Sequence, residues 1–204
     1  MNDYKQFIKN KQKTSVKSGF ILEPNQLNPM LKPHQSFGIL KGLEHGRFAF
    51  FYETGLGKTL MELECALQVS AYTNGKSLIL APLAVVNQTK EREALKFGYA
   101  PYIDNCIDVI NYEQLDNIDV SQYSCVILDE SSILKSIDGK TKNKIIELFK
   151  NTPYKFCFSA TPSPNDHMEL GNHSEFLNQM SYTEMLSMFF VHDGGETSKW
   201  RLRK

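Results

Sequence analysis

Three groups of residues in this 204-residue chain have the types and spacing to do chemistry together. The first is Thr54-Gly55-Leu56-Gly57-Lys58-Thr59, preceded by an uncharged run at 48–52 and followed by Leu60, Leu63 and Leu67 at helical spacing. A strand that feeds a glycine-rich turn opening a helix is the setting of a phosphate-binding loop. Glycines let successive backbone N–H groups point inward at an anion, and the helix N-terminus adds its positive dipole end. Lys58 is placed to reach the β- and γ-phosphates of a triphosphate, and the Thr59 hydroxyl to hold Mg²⁺. The pattern G-x-x-x-x-G-K-[ST] is incomplete, because Tyr52 stands at its first glycine.

The second group is Asp129-Glu130, directly after the apolar run Cys125-Val126-Ile127-Leu128. An aspartate at a strand end beside a phosphate loop can hold the metal, and the next glutamate can orient and deprotonate an attacking water. Hydrolysis of a γ-phosphate needs little more than placement and charge neutralisation. The third is Ser159-Ala160-Thr161, after the strand-like Tyr154-Lys155-Phe156-Cys157-Phe158. Upstream, Gln35 follows Leu31-Lys32-Pro33-His34, and a glutamine amide offers the donor and acceptor that the Hoogsteen edge of adenine requires.

These groups must be carried by an alternating set of elements. Short apolar runs at 48–52, 77–81, 106–110, 124–128 and 154–158 predict five strands, and helices are predicted over 33–43, 60–74, 85–97 and 141–150. Such alternation implies βαβ units, a mostly parallel sheet and an α/β fold. Right-handed crossovers then bring every strand's C-terminal end to one edge, where ligands bind. All the polar groups named above fall there, with Asp129-Glu130 expected one sheet position from the phosphate loop.

Composition limits the alternatives. Hydrophobic content of 41% can fill a core, and a formal net charge of zero means that any nucleic-acid surface is local. Cys65, Cys106, Cys125 and Cys157 are widely spaced and read as buried thiols. Neither His167 nor His173 has the spacing of a zinc site. The lack of a signal peptide or membrane-length apolar run points to the cytoplasm. Lysines 5, 9, 11, 13 and 17 make a basic arm, read mainly as a solvated segment.

Taken together, these residues resemble the first motor lobe of superfamily 2 helicases, nearest to SWI/SNF-type translocases, over residues 27–178. Leu31-Lys32-Pro33-His34-Gln35 resembles the adenine-reading LKPYQ element, and Glu53-Thr54-Gly55-Leu56-Gly57-Lys58-Thr59 resembles motif I, DEMGLGKT. Leu80-Ala81-Pro82 is similar to motif Ia and Asn111-Tyr112-Glu113 to the motif Ib region. Leu128-Asp129-Glu130-Ser131-Ser132 stands where the family has DEAD or DEAH, and Ser159-Ala160-Thr161-Pro162 matches motif III, which continues over 165–177. The resemblance implies a three-layer RecA-like P-loop domain that uses ATP and Mg²⁺. Lys58, Asp129 and Glu130 would be catalytic and Thr59 and Asp129 metal-binding, with Gln35 and 54–59 holding nucleotide and Ser159, Ala160 and Thr161 coupling it to nucleic acid. DNA is expected more than RNA, bound through strand-end loops. A second RecA-like lobe with an arginine finger is implied, in cis or in trans, with residues 179–204 leading toward it. The family includes phage-encoded members, which suggests the cytoplasm of a bacterium or a phage-infected host. Ser132 departs from the family's histidine or aspartate. Two other readings stay open: a single-lobe binding module without turnover, and another P-loop enzyme such as a nucleotide kinase, which would lack the LDESS-then-SATP order.

Overall fold

A computed structural model describes residues 16–135, 139–163, 166–192 and 200–203. Five strands, β1 (Arg47–Phe51), β2 (Lys76–Ala81), β3 (Ile107–Asn111), β4 (Tyr123–Asp129) and β5 (Tyr154–Ser159), form one sheet in the order β1-β5-β4-β2-β3. Every pairing in it is parallel. Helix α1 is Pro33–His45 and α2 is Lys58–Thr73; α3 runs over 83–97 as Leu83–Asn87, a π-helical turn Gln88–Glu93 and Ala94–Phe97. Beyond β4 come α4 (Lys140–Leu148), α5 (Leu170–Phe176) and α6 (Tyr182–Phe189), then a two-stranded antiparallel hairpin of β6 (Phe190–His192) and β7 (Trp200–Leu202).

Strand side chains alternate between faces, and this sorts the core into two layers. Ile79, Val109, Ile127, Phe156 and Phe158 pack with Ile39, Leu43, Met61 and Leu63 of α1 and α2. Leu78, Leu80, Val126, Leu128 and Cys157 pack on the opposite side with Ile145 of α4 and Phe176 of α5. The result is the expected three-layer α/β/α arrangement. Phe50 sits at the centre of the first layer, fully buried and stacked on Phe158 at 4.3 Å. A Cβ at Gly42 would collide with the Phe50 ring, so the glycine is what lets α1 lie against the sheet. Burial of a ring of this size contributes about 1.5–3 kcal/mol.

One charged residue lies inside β5. Lys155 is fully buried, and its ammonium donates to the carbonyls of Phe176 (3.0 Å) and Lys150 (3.3 Å) and to Asn178 Oδ1 (3.3 Å). The cation thus answers the orphan carbonyls at the C-terminus of α5, while burial pushes its pKa down to about 8.

The strand order corrects the expected placement of Asp129-Glu130. β5 lies between β1 and β4, so the carboxylates stand two sheet positions from the strand that leads to the glycine loop, with the end of β5 between them. Register puts Ser159 beside Phe51 and Asp129 beside Phe158, all at the C-terminal edge. Of the N-terminal arm, residues 1–15, including Lys5, Lys9, Lys11 and Lys13, lie outside the described residues. The part that follows docks on the body: the amides of Ser18, Gly19 and Phe20 donate to the carbonyls of His45, Glu44 and Leu43. Phe20 is buried and stacked on Tyr72 at 4.0 Å. Among the described residues no helix is long and apolar enough to cross a membrane.

Candidate functional site

The glycine loop leaves β1 at Phe51 and enters α2 at Lys58. Gly55 and Gly57 take φ of +83° and +77°, the left-handed region that a side chain disfavours. The Lys58 ammonium folds back over the loop, donating to the carbonyls of Tyr52 (3.2 Å) and Glu53 (3.4 Å). Tyr52, at the place of the missing glycine, has a role of its own: its hydroxyl donates to the His34 carbonyl (3.3 Å), tying the loop's entry to α1.

The loop forms the floor of a cleft of about 540 Å³. Met30, Lys32, Gln35, Gln88, Glu93, Phe97 and Asp129 line the rest of it. Thr54, Gly55, Leu56, Gly57, Lys58 and Thr59 all face it, so the structure brings together every residue of the expected loop with Asp129 and Gln35. The Gln35 amide, expected to present a free edge, is engaged with backbone instead. Its Nε2 donates to the carbonyls of Leu56 (2.9 Å) and Gly57 (3.2 Å), and its Oε1 accepts from the Lys32 amide (2.8 Å). Leaving any one of these buried groups unpaired costs about 1–3 kcal/mol, while a hydrogen bond gained returns a net of about 1.

Asp129 emerges at the edge of β4, and its carbonyl accepts from the Tyr112 hydroxyl (2.7 Å). Burial raises its carboxyl above the ordinary aspartate value; a hydrogen bond from Glu62 opposes this, Glu130 adds repulsion and Lys58 again opposes it. A half-buried acid of this kind, a step from the Thr59 hydroxyl and a glycine cradle open to the cleft, fits a divalent cation with its phosphate ligands. Glu130 turns away from that cleft. Its backbone is left-handed at φ +55°, and Oε1 accepts from the Ser159 hydroxyl (2.8 Å), whose oxygen in turn accepts from the Thr161 amide (2.9 Å). A left-handed backbone at a residue with a Cβ costs about 1–3 kcal/mol, which the surrounding structure must hold in place. Ser159 and Thr161 are thus joined to Glu130, with Ala160 half-exposed between them. Glu130 faces a separate groove of about 700 Å³, lined by Pro82, Asn111, Tyr112, Ser132, Lys135 and Lys144 among others.

Two residues near this site gave no signal in the sequence. His173 of α5 is buried and its Nε2 lies 3.1 Å from Ser131 Oγ, while its ring stands edge-on to Phe51 at 5.5 Å. It braces the turn after Asp129-Glu130 from another helix, while Ser132 points to the groove. Glu62, one turn after Lys58 in α2, is fully buried; among the described residues no donor meets its carboxyl oxygens, which lie within hydrogen-bond reach of the Asp129 carboxyl when one of the two is protonated. Burial first, then the charge of Asp129, holds its carboxyl well above the ordinary glutamate value.

Glu62 yields a prediction with a definite sign. A carboxyl whose folded pKa is raised binds its proton more tightly in the native state, so its contribution to stability falls as pH rises above the unfolded value of about 4.3. Glu62→Gln keeps the shape without the titration. Its thermal stability relative to wild type should therefore improve from pH 5 to pH 8, by about 1–3 kcal/mol at the upper end. An equal difference at both pH values would show that the carboxyl does not titrate on unfolding.

Comparison with known proteins places this geometry in context. No family model matches the chain. The putative protein p41 of Acyrthosiphon pisum secondary endosymbiont phage 1 is 26% identical over 179 residues, covering 72% of this chain and 39% of that protein. A Sulfolobus solfataricus SWI2/SNF2 ATPase core, solved in complex with dsDNA, superposes with a TM-score of 0.68 at 24% identity, over 88% of this chain and 43% of that one. The UvsW helicase from bacteriophage T4 gives a TM-score of 0.58 at 19% identity, covering 87% of this chain and 66% of that one. The chain spans under half the length of p41 and of the SWI2/SNF2 core. With its five-stranded all-parallel sheet between helices, the chain shares the α/β fold of the SWI2/SNF2 ATPase core and of the UvsW helicase over most of its length.

Proposed function

We propose that this chain is the ATP-binding lobe of a helicase-type, nucleic-acid-dependent ATPase. The observation that carries the reading is the convergence in one cleft of the glycine loop, Lys58, Thr59 and Asp129, with Glu130 and Ser159 joined at the adjacent strand ends. The loop amides and the Lys58 ammonium would receive the β- and γ-phosphates. Thr59 and Asp129 would hold Mg²⁺, which when bound neutralises charge on the phosphate oxygens. Glu130 would take the proton of the attacking water, and its side chain must swing from Ser159 toward the cleft to do so. That hydrogen bond makes the Ser159-Ala160-Thr161 turn a means of holding the base away until a bound strand moves the turn. The groove beyond Glu130, with Lys135 and Lys144 on its wall, is the surface on which a nucleic-acid strand would lie. The dsDNA bound by the SWI2/SNF2 core favours DNA over RNA. A second RecA-like lobe, in cis or in trans, would complete the site, as the motor-lobe fold suggests.

The nucleotide part of this reading is tested by calorimetry with ATP and Mg²⁺ on wild type and Lys58→Ala. Loss of a charge-assisted contact to phosphate should weaken binding by about tenfold to a hundredfold. Equal affinities would remove the glycine loop from phosphate binding.

A further inference from the structure

Two carboxylates line the cleft, and only Asp129 has a part in the phosphate and metal chemistry. The other, Glu93, ends the π turn Gln88–Glu93 of α3, where the Ala94 amide donates to the Thr89 carbonyl five residues back. Such turns are rare and gather at functional sites. This one contains no glycine or proline. The buried Thr89 hydroxyl meets no partner among the described residues, so it does not enter the backbone ladder and spread it.

What the turn does is set a face. At about 100° per residue, an α-helix places side chains five apart about 140° from each other around the axis. A turn closed by i→i+5 hydrogen bonds brings them one above the other. Gln88 and Glu93 are five apart and both line the cleft, while Thr89 and Ala94, also five apart, are both buried. Glu93 is half-buried, and among the described residues its carboxylate takes no hydrogen bond or ion pair, although Lys96 follows one turn later in α3.

A carboxylate repels the oxygens of a triphosphate, so in such a ligand it is attracted only to hydrogen-bond donors. Adenine has one donor group, its exocyclic amine. Ribose has two on adjacent carbons, the 2′ and 3′ hydroxyls, which match the two oxygens of a carboxylate. An acidic side chain accepting from a ribose 2′ hydroxyl is a recurrent arrangement in nucleotide sites. We propose, resting on the reading of the cleft as a nucleoside triphosphate site, that the π turn of α3 presents Glu93 to the ribose hydroxyls of the bound nucleotide. The cleft then selects ribonucleotides over 2′-deoxyribonucleotides.

The test is calorimetric titration of the full chain with ATP, 2′-deoxyATP and inosine triphosphate, which lacks the adenine amine, each with Mg²⁺. Wild type should bind ATP about tenfold to a hundredfold more tightly than 2′-deoxyATP, the worth of a hydrogen bond to a charged group. Glu93→Ala should bring the two within about twofold by weakening ATP alone, and its unchanged affinity for 2′-deoxyATP would show that the cleft is intact. A wild type that binds both within about twofold, or a preference that persists in Glu93→Ala, would overturn the proposal. So would an equal gain for both ligands in Glu93→Ala, which would make Glu93 a charge that repels phosphate, or an equal loss, which would make it structural. A shift in the ratio of ATP to inosine triphosphate, with that of ATP to 2′-deoxyATP unmoved, would assign the carboxylate to the base and overturn the proposal too. Failure of wild type to bind any of the three would overturn the reading of the cleft itself.

Discussion

Assayed alone, the 204-residue chain is expected to bind ATP yet release phosphate at close to the background rate, with or without DNA. The charge that develops on a transferring γ-phosphoryl group needs a cation facing the loop from outside the lobe. In comparable NTPases that arginine is worth about 10³–10⁵ in rate, or roughly 4–7 kcal/mol. The cleft here is lined by Lys32, Lys58 and Lys96 and by no arginine among the described residues. Arg47 is spent on the Pro153 carbonyl. The Arg203 guanidinium donates to the carbonyls of Ser187 (2.6 Å) and Phe190 (3.1 Å), locking the hairpin to α6. Steady-state phosphate release over a range of protein concentrations decides the matter. Turnover rising with the square of concentration would mean that another copy supplies the cation. Robust turnover linear in concentration would mean that this lobe is complete by itself.

The second large effect is expected at Glu130. In a chain that carries both motor lobes, Glu130→Gln should keep ATP affinity and lower hydrolysis by about 10²–10⁴, the usual worth of a positioned general base. Glutamine preserves the acceptor that the Ser159 hydroxyl uses at 2.8 Å, so the turn between the two residues is undisturbed and the loss reports on proton transfer. Because the lost interaction exists only in the transition state, kcat and kcat/KM should fall together while KM stays. Hydrolysis at the wild-type rate would remove Glu130 from the chemistry.

Much of this lobe is written locally. The five strand runs are contiguous, apolar and bounded by glycine, proline or polar residues, and each appears within one or two residues of where the pattern puts it. The ends of α2 are set by the glycine loop before Lys58 and by Asn74 at φ +54°, both readable from residue type. The parallel sheet, its three layers and the gathering of polar groups at one edge follow from alternation of elements and the handedness of crossovers.

What remained to be decided was non-local. The insertion of β5 between β1 and β4 depends on which distant strands pair, and apolar runs of similar length carry no code for that order. It moved Asp129-Glu130 one position further from the loop and put Ser159 where it reaches Glu130. Glu62 lies on the side of α2 opposite Leu60, Leu63 and Leu67, yet it is buried, because α2 is covered on several sides by the sheet, α1 and α3. Lys155 reads as an interruption of an apolar strand, and it is tolerated because the end of α5 presents carbonyls to it. Gln35 offers an amide that could face a base or a backbone. Contacts with Leu56 and Gly57, some twenty residues away, settle its direction, since a buried donor goes to the nearest acceptor that the fold supplies.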